Sequence, residues 1–406
     1  MFTNFRKTVE PLRHTIPAAL PAPTSMHPLP PNIPPQAEPF RIPPTLDGLV
    51  SALQAPLKDL GLQGKPLEFP EGARSAHPFV GGEMQAQQRM RHLISSGAAS
   101  NYKDTRNGLL GSDFSTKLSA YLSHGCISAR SIHDSLASFE DGSDSAAAAA
   151  AGHGKGENRG TACIRFELLW RDFFRLAALQ VGARLFAIHP FPIPRGYDAA
   201  AWQTLAAAAT PASLGRFLRG TTGCALVDAS QRELYHTGYT SNRTRQNVAS
   251  YLAKRLRIDW RVGAEWYECL LIDYDVASNW GNWRYSSGVG NDPRQDRVFN
   301  QVKQAKDYDA GEYVRMWCPE LRTVRGGGDG LWMPALLKGQ EREAVCAHGD
   351  EAREMVEKPL VAIHGASGGK RRNGGGGGEG GHGKCKGRKE KGHNGRKEVK
   401  AANEGI

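Results

Sequence analysis

Apolar residues between Gly81 and Val324 recur every three or four positions, and alternating runs of β-branched residues are few. This period matches an α-helix, in which residues three and four apart lie on one face. The segment Thr161–Val181 shows the pattern most clearly, with an apolar stripe formed by Ile164, Leu168, Leu169, Phe173 and Leu176. The pattern predicts an all-α domain, with that stripe facing its core.

A second face of the same predicted helix carries Glu167, Trp170, Arg171 and Phe174. Charged and aromatic side chains mixed on one face are unusual for a surface that meets only solvent. The face has two interpretations. One is a surface Glu167–Arg171 ion pair, worth about 0.3–0.5 kcal/mol, between two partly buried rings, and the other is a binding surface. Spacing alone favours the ion pair.

The segment Thr240–Leu256 predicts another helix, capped by Ser241 or Asn242, with Val248 and Leu252 facing inward. Its first turns carry amide and cationic side chains, namely Asn242, Arg243, Arg245 and Gln246. Cations at this end oppose the helix dipole, so a phosphate or a carboxylate nearby would compensate them. The alternative is that the arginines point into water.

The segment Leu270–Gly290 places polar and aromatic side chains in a short apolar context: Asp273, Asp275, Asn279, Trp280, Trp283 and Tyr285. If this segment is helical, the four-residue spacing of Asp275, Asn279 and Trp283 puts them on one edge. Carboxylates beside apolar neighbours are costly unless they are paired, and the arginines of the previous segment are the obvious partners. A tryptophan-rich core with a capped turn is the alternative.

Three segments of the chain have a different composition. Pro17–Pro44 is dense in proline and predicts an extended linker, Asp141–Gly160 predicts a surface insertion, and the Gly-, Lys- and Arg-rich sequence from Arg325 predicts disorder. Eleven Lys and Arg residues stand against four Glu residues between Lys370 and Ile406, so this stretch carries +7 of the net charge of +11. The predicted helical domain is therefore 76–325, followed by a disordered basic tail, 326–406, that solubilises the chain or touches nucleic acid.

Several classes of protein are disfavoured. The seven cysteines form no C-x-x-C pair, so we expect no disulfide framework and no metal site. No run of eighteen apolar residues exists, which argues against a membrane span. Arg6, Lys7 and Arg13 suggest a weak transit peptide, but Glu10 and the prolines count against it. A monomer in the nucleus or cytoplasm is therefore expected, with mitochondria less favoured.

Five ordered segments together resemble the flavin pocket of the photolyase/cryptochrome family, and of its DASH branch in particular: NYKDTRNGLLGSDFSTKLSAYLSHGCISAR, FELLWRDFFR, SNRTRQNVASYL, DWRVGAEWYE and DYDVASNWGNW. The resemblance implies an FAD cofactor. Its phosphates and ribityl chain would be held by Tyr102, Ser115, Thr116, Lys117, Leu118 and Ser119. The rest of the folded flavin would be surrounded by Arg171, Asn242, Arg245, Asp273, Asp275 and Asn279, with an Arg245–Asp273 salt bridge beside the ring.

The resemblance also implies roles in electron transfer and repair. Trp283, Trp260 and Trp202 would form an electron-transfer chain, although the segment after Trp202 is about five residues longer than the family spacing. In relatives that repair DNA, a flipped pyrimidine dimer enters a cavity over the flavin. The positions implied for DNA are Glu167 and Trp170 at the lesion, Arg106 and Arg243 on phosphates, and Gln246 and Tyr285, which stand where duplex photolyases have methionine and tryptophan.

The resemblance at these positions implies a repair activity, and three alternative functions stay open. Weaker stacking favours single-stranded DNA with pyrimidine dimers as the partner of a blue-light-driven repair lyase, with RNA possible through the tail. FTNFRKTVEPLRHTIP resembles the end of the family's antenna domain, so 1–75 would be its remnant and linker, and no antenna chromophore would bind. The alternatives are a signalling photoreceptor, a nucleic-acid-binding module and a nonfunctional fragment.

Overall fold

The fold is seen in a computed structural model, which describes residues 2–21, 23–35, 42–59, 69–190, 202–203, 212–290, 297–326 and 328–362. Regular secondary structure in these ranges is entirely helical, and the isolated backbone bridge there joins Gln203 to Ile258. The prediction of an all-α domain is confirmed. Within the same ranges, no helix combines the length and apolar character that a membrane span needs.

Seventeen α-helices follow one another along the described ranges. They are α1 (Phe2–Val9), α2 (Leu46–Asp59), α3 (Glu83–Ser95), α4 (Ala98–Thr105), α5 (Ser119–Ser123), α6 (Ala129–Asp141), α7 (Arg159–Val181), α8 (Ala212–Arg219), α9 (Ala225–Thr237), α10 (Asn242–Ser250), α11 (Trp260–Leu270), α12 (Val276–Ser287), α13 (Gln301–Tyr308), α14 (Glu312–Trp317), α15 (Asp329–Trp332), α16 (Gly339–Cys346) and α17 (Asp350–Glu357). A π-helical turn, Tyr251–Leu256, extends α10.

Helix α7 joins the apolar clusters of the domain. Its start packs with α3, α4 and α6, and its middle packs with α1 and α12. Gly160 lets α4 come close, because a Cβ atom at this position would lie 2.1 Å from the Ser100 carbonyl oxygen and 2.2 Å from that of Ala99. Asn158 caps α7 by accepting hydrogen bonds from the backbone N–H groups of Gly160 and Thr161.

The predicted apolar stripe of α7 is wrong at its end. Ile164 and Phe173 are buried and the two leucines between them are half-buried, but Leu176 is 54% exposed. Leu179, one turn further, is exposed as well. A helical period shows which residues share a face, but only a packed neighbour buries that face.

The predicted domain boundary at Arg325 is also wrong. Helices α15, α16 and α17 lie beyond it and bury Trp332, Val345 and Met355 in the domain core. Arg216 holds the end of α17, because its Nη1 donates to the carbonyl oxygen of Lys358 at 2.7 Å. These apolar residues are scattered among glycines and charges, so composition averaged over the segment hides them.

Two further segments are more closely packed than the sequence predicts. In the insertion 141–160, Ala147 is buried, and the Gly154 N–H donates to the Phe139 carbonyl of α6 at 2.9 Å. In the linker 1–75, α1 packs on α7 through the buried Phe2. The described residues of Pro17–Pro44 have no regular secondary structure, as expected. Residues 363–406 of the predicted tail lie outside the described ranges.

Candidate cofactor-binding site

A cleft opens between α10 and α12, with the end of α11 as its third wall. Its volume is about 530 Å³ including the part open to solvent. Seven residues singled out in the sequence line it: Asn242, Arg245, Gln246, Asp273, Asp275, Asn279 and Trp283. Two separate stretches of the sequence, 242–249 and 267–286, therefore meet at one place.

The Arg245–Asp273 ion pair lies in this cleft. Arg245 Nη2 is 2.9 Å from Asp273 Oδ2, and Arg245 Nε donates to the Thr240 carbonyl oxygen at 2.9 Å. Burial alone would lower the pKa of Arg245, but attraction to Asp273 raises it above its ordinary value. Asp273 is buried, and its Oδ1 atom has no hydrogen-bond partner within the described part of the chain. A bound group with an N–H or O–H donor would satisfy that oxygen.

Helix α12 presents one polar edge to the cleft. Asp275 caps the helix, since its Oδ1 accepts from the Ser278 N–H at 2.8 Å, and its Oδ2 is 3.0 Å from Arg175 Nη2. Burial would raise the pKa of Asp275, but these hydrogen bonds and Arg175 hold it below its ordinary value. Asn279 is fixed by its Nδ2, which donates to the Ala264 carbonyl at 2.9 Å.

The predicted tryptophan chain begins at the cleft wall. Trp283 packs edge-on against Tyr267 with ring centroids 5.2 Å apart. It also lies against α11 at Gly263, where a Cβ atom would be 2.2 Å from the Trp283 Cη2 atom. Gly263 and Trp260 are one turn apart on α11. Trp260 and Trp283 therefore both lie where α11 packs against α12.

Trp260, the predicted next member of the chain, is fully buried. Its indole N–H donates to the Ile188 carbonyl, and its ring meets Trp280 edge-on at 5.8 Å. Trp202 is half-buried against the main core, and its neighbour Gln203 bridges to Ile258, two residues before Trp260. Part of the segment after Trp202 that is predicted to be longer than the family spacing, residues 204–211, lies outside the described residues.

The loop before α5 contains the residues predicted to hold phosphates. Ser115 and Lys117 have left-handed backbones, with φ of 68° and 57°. Lys117 is 1% exposed, and its Nζ is 3.3 Å from the hydroxyl of Tyr239. The same tyrosine ring has Arg245 Cζ 5.4 Å from its centroid, so Tyr239 connects this loop with the cleft. Burial lowers the pKa of Lys117 to about 8, opposed by the nearby Glu233 carboxyl.

The other residues predicted at this loop belong to its supporting structure. Tyr102 and Leu118 are buried in the cluster of α3, α4 and α6. Thr116 Oγ1 accepts from the Leu118 N–H at 3.3 Å, and Ser119 begins α5. The structure places these residues together around the loop, and their contact with FAD stays a prediction.

On α7 the structure rejects the simple surface pair. Glu167 Oε1 lies 2.7 Å from Arg106 Nη1, whereas Arg171 Nη1 lies 3.7 Å from Asp172 Oδ1. Arg106 is buried, so a contact between it and a DNA phosphate would first require the pair with Glu167 to open. Burial raises the pKa of Glu167, although Arg106 and Lys103 oppose the shift.

Trp170, predicted to stack on a damaged base, is already stacked. The Phe2 ring lies 3.5 Å from its centroid with the two planes 7° apart, and Phe174 lies at 5.6 Å and 30°. Tyr285 meets the indole edge-on at 6.4 Å. The residues predicted for the lesion thus cluster together, but α1 covers Trp170 in this structure.

Arg243 and Gln246 contact each other on α10. Arg243 is buried, with its Nη2 donating to Asn107 Oδ1 at 2.7 Å and its guanidinium 4.6 Å from the Tyr308 ring centroid. The alternative in which this arginine points into water is wrong. Its predicted contact with DNA phosphate would require the side chain to leave these partners.

Sequence reasoning missed several residues that line the cleft: Ala249, Tyr267, Leu271, Ser278, Asn282 and Ser286. The last three repeat every four residues beside Asn279 and Trp283 on α12, so the helical period contained the signal. Tyr267 carried none, because its position depends on how α11 packs against α12.

The donors and acceptors of this site fit a flavin nucleotide. The unpaired Asp273 oxygen calls for an N–H or O–H group, which both a flavin ring and its ribityl chain offer. Aromatic walls at Trp283 and Tyr267 suit a flat ring system. The positive charges of Arg245 and Lys117 suit an anionic chain.

Comparison with known proteins gives the same result. Residues 164–357 match the family model described as the FAD binding domain of DNA photolyase. A putative DASH cryptochrome of Neurospora crassa is 52% identical over 343 residues, which are 79% of this chain and 46% of that protein. A DASH cryptochrome of rice is 41% identical over 65% of this chain and 42% of its own length. A solved cryptochrome structure from Synechocystis sp. has a TM-score of 0.68 at 38% identity, over 85% of this chain and 62% of that one.

The fold, the cleft and these relatives together define the class of protein: the chain belongs to the photolyase/cryptochrome family. Within that family it is of the DASH cryptochrome type. It spans about half the length of the curated relatives that it matches.

The expected nuclear or cytoplasmic location is overturned by these relatives. The Neurospora protein is named as mitochondrial and the rice protein as chloroplastic/mitochondrial. The expectation rested on discounting a transit signal because of Glu10 and the prolines, and a missing signal is weak evidence for any compartment.

Proposed function

We propose that this chain binds FAD in the cleft between α10 and α12 and repairs cyclobutane pyrimidine dimers with blue light, mainly in single-stranded DNA. The observation that carries the proposal is the buried Arg245–Asp273 pair in one cleft with Asn279 and Trp283. The family model, which describes an FAD-binding domain of DNA photolyase, supports the same reading.

The residues that would hold the cofactor have separate tasks. Asp273 and Asn279 would fix the ring by hydrogen bonds, and the loop at Ser115 and Lys117 would bind its phosphates. When bound, FAD supplies a light-absorbing ring that donates and accepts electrons. Trp283, Trp260 and Trp202 would carry electrons between the cleft and the surface. Glu167 would stabilise the radical anion of the damaged base by hydrogen bonding.

The direct test uses the full chain loaded with FAD, reduced chemically, and a single-stranded oligonucleotide containing one cyclobutane dimer. We expect blue light to remove the dimer and darkness to leave it intact, as measured by chromatography of the digested oligonucleotide. Unrepaired dimer after illumination of fully reduced protein would exclude the lyase activity.

A Trp260→Phe variant separates repair from a photoreceptor function. The exchange removes the indole in the middle of the chain and keeps an aromatic ring in the core. We expect light-driven reduction of oxidised protein to slow by roughly tenfold or more, while repair by chemically reduced protein continues. Absorption spectra during illumination report the first rate. Parent protein that photoreduces but never repairs would point to signalling instead.

The contact between Phe2 and Trp170 gives a prediction about DNA binding. A base that stacks on Trp170 must displace Phe2, and an aromatic pair of this kind is worth about 0.5–1.5 kcal/mol. Phe2→Ala should therefore tighten binding of dimer-containing single-stranded DNA by roughly 2- to 12-fold in fluorescence anisotropy titrations. Phe5→Ala is the matched control. Phe5 lies on the same helix and packs on Phe2 and Phe173, so its removal leaves the Phe2 ring on Trp170. Equal affinities for parent and Phe2→Ala would show that the base avoids this face.

A further inference from the structure

Arg89 on α3 lies behind the loop that is predicted to bind phosphates. Its side chain is 6% exposed, and its guanidinium makes three hydrogen bonds to the loop. Nε donates to the Thr116 carbonyl at 2.9 Å, Nη2 to the Ser112 carbonyl at 2.8 Å, and Nη1 to Asp113 Oδ1 at 3.1 Å. The planar guanidinium of Arg89 thus forms hydrogen bonds to both ends of the 112–117 loop.

This loop has a backbone that needs outside support. Gly111, Ser115 and Lys117 have φ of 106°, 68° and 57°, and the last two carry side chains that disfavour this region. Such conformations persist only where the surroundings fix them. Arg89 bonds directly to the carbonyl of Thr116, the residue between the two strained positions.

The hydrogen bonds from Arg89 also determine the direction of two N–H groups in the loop. In a planar trans peptide the C=O and N–H bonds point in opposite directions. The carbonyls of Ser112 and Thr116 are turned toward Arg89, so the N–H groups of Asp113 and Lys117 are turned away from it. Peptide N–H groups exposed by left-handed residues form concave sites for anions.

The charge behind the loop is only partly balanced. Asp113 is the carboxylate that contacts Arg89; it is 44% exposed and is shared with His92, whose Nε2 lies 2.9 Å from its Oδ1. Burial lowers the pKa of Arg89, although Asp113 opposes the shift. Lys117 adds a second buried cation at the same loop. An anion in front of the loop would complete this arrangement.

We propose that Arg89 is a positioning residue that shapes the 112–117 loop from behind for the diphosphate of a nucleotide cofactor, without touching the cofactor itself. This inference rests on the proposed function, since it takes the loop to be the phosphate end of the FAD site. It assigns Arg89 to the diphosphate and not to the flavin ring, which the residues of the cleft would hold.

The test compares three probes by titration calorimetry: FAD, riboflavin, which has the flavin ring but no phosphate, and ADP, which has the diphosphate but no ring. Arg89→Met should weaken FAD and ADP by on the order of 10- to 100-fold and leave riboflavin unchanged. Arg89→Lys keeps the charge without the planar guanidinium and should still weaken both by roughly tenfold. Arg91→Met is the control, since Arg91 is exposed on the same helix.

Each other result decides the matter as well. An equal loss for FAD and riboflavin would mean that Arg89 only supports the fold, and no loss for FAD would also overturn the proposal. If Arg89→Met does not fold, Arg89→Lys decides by the same comparison. Parent protein that binds ADP but neither FAD nor riboflavin would refute the flavin function. The role of Arg89 would then be decided by the loss of ADP affinity in Arg89→Met. Parent protein that binds none of the three probes would overturn both.

Discussion

A chain that ends at residue 325 should fail to fold, whereas one that ends at residue 362 should fold like the full chain. Ending the chain at 325 removes α15, α16, α17 and the residues between them. The buried apolar side chains lost with this segment include Leu331, Trp332, Met333, Leu337, Val345, Met355 and Val356. Burial of one large apolar side chain contributes about 1.5–3 kcal/mol. Losing seven such side chains costs about 10–21 kcal/mol, which matches or exceeds the roughly 5–15 kcal/mol by which a domain is usually stable.

Circular dichroism and thermal melting measure this difference. The chain ending at 362 keeps the Arg216 contact with Lys358 and the Leu360 N–H bond to the Thr222 carbonyl, so its melting temperature should lie within about 2 °C of the full chain. The chain ending at 325 should show no cooperative transition. A cooperative transition in that shorter chain would mean that these helices are dispensable to the core.

Replacing Arg245 with methionine should cost about 3–5 kcal/mol of unfolding free energy, because it leaves the buried Asp273 carboxylate without its cation. The melting temperature should fall by roughly 6–20 °C. FAD affinity should fall by on the order of 10- to 100-fold, since Arg245 also lines the cleft. Thermal melting and flavin titration measure the two effects.

Two variants control this prediction. Arg175→Met breaks the pair with Asp275, but Arg175 is 44% exposed, so the loss should be about 0–1 kcal/mol. Adding Asp273→Asn to Arg245→Met removes the stranded charge and should restore about half of the lost stability. If the double variant is no more stable than Arg245→Met, the loss comes from packing and not from the unpaired carboxylate.

Helical periodicity predicted the parts of the site that lie within one element. Ser241 caps α10 as expected, and Val248 and Leu252 are fully buried. Asp275, Asn279 and Trp283 do share one edge of α12. These features depend on neighbours three or four residues away, so the local sequence contains them.

Composition was a poorer guide to the domain's extent. Glycines and charges between Arg325 and Glu357 suggested disorder, yet Leu331, Trp332 and Met355 fill the core. A few well-spaced large side chains suffice to dock a short helix, because burial depends on the surface they meet and not on the average of the segment.

Periodicity and motifs in the sequence were enough to show that the domain is helical, which residues share a helix face, and which family the motifs resemble. The partners of the charged side chains depend on the packing of the helices: Glu167 pairs with Arg106, Arg245 with Asp273, and Arg89 with the loop ahead of α5. This packing also decides that Phe2 covers Trp170 and that Leu176 faces solvent. Helix formation follows from contacts within a few residues, whereas these pairings depend on how distant helices pack against one another.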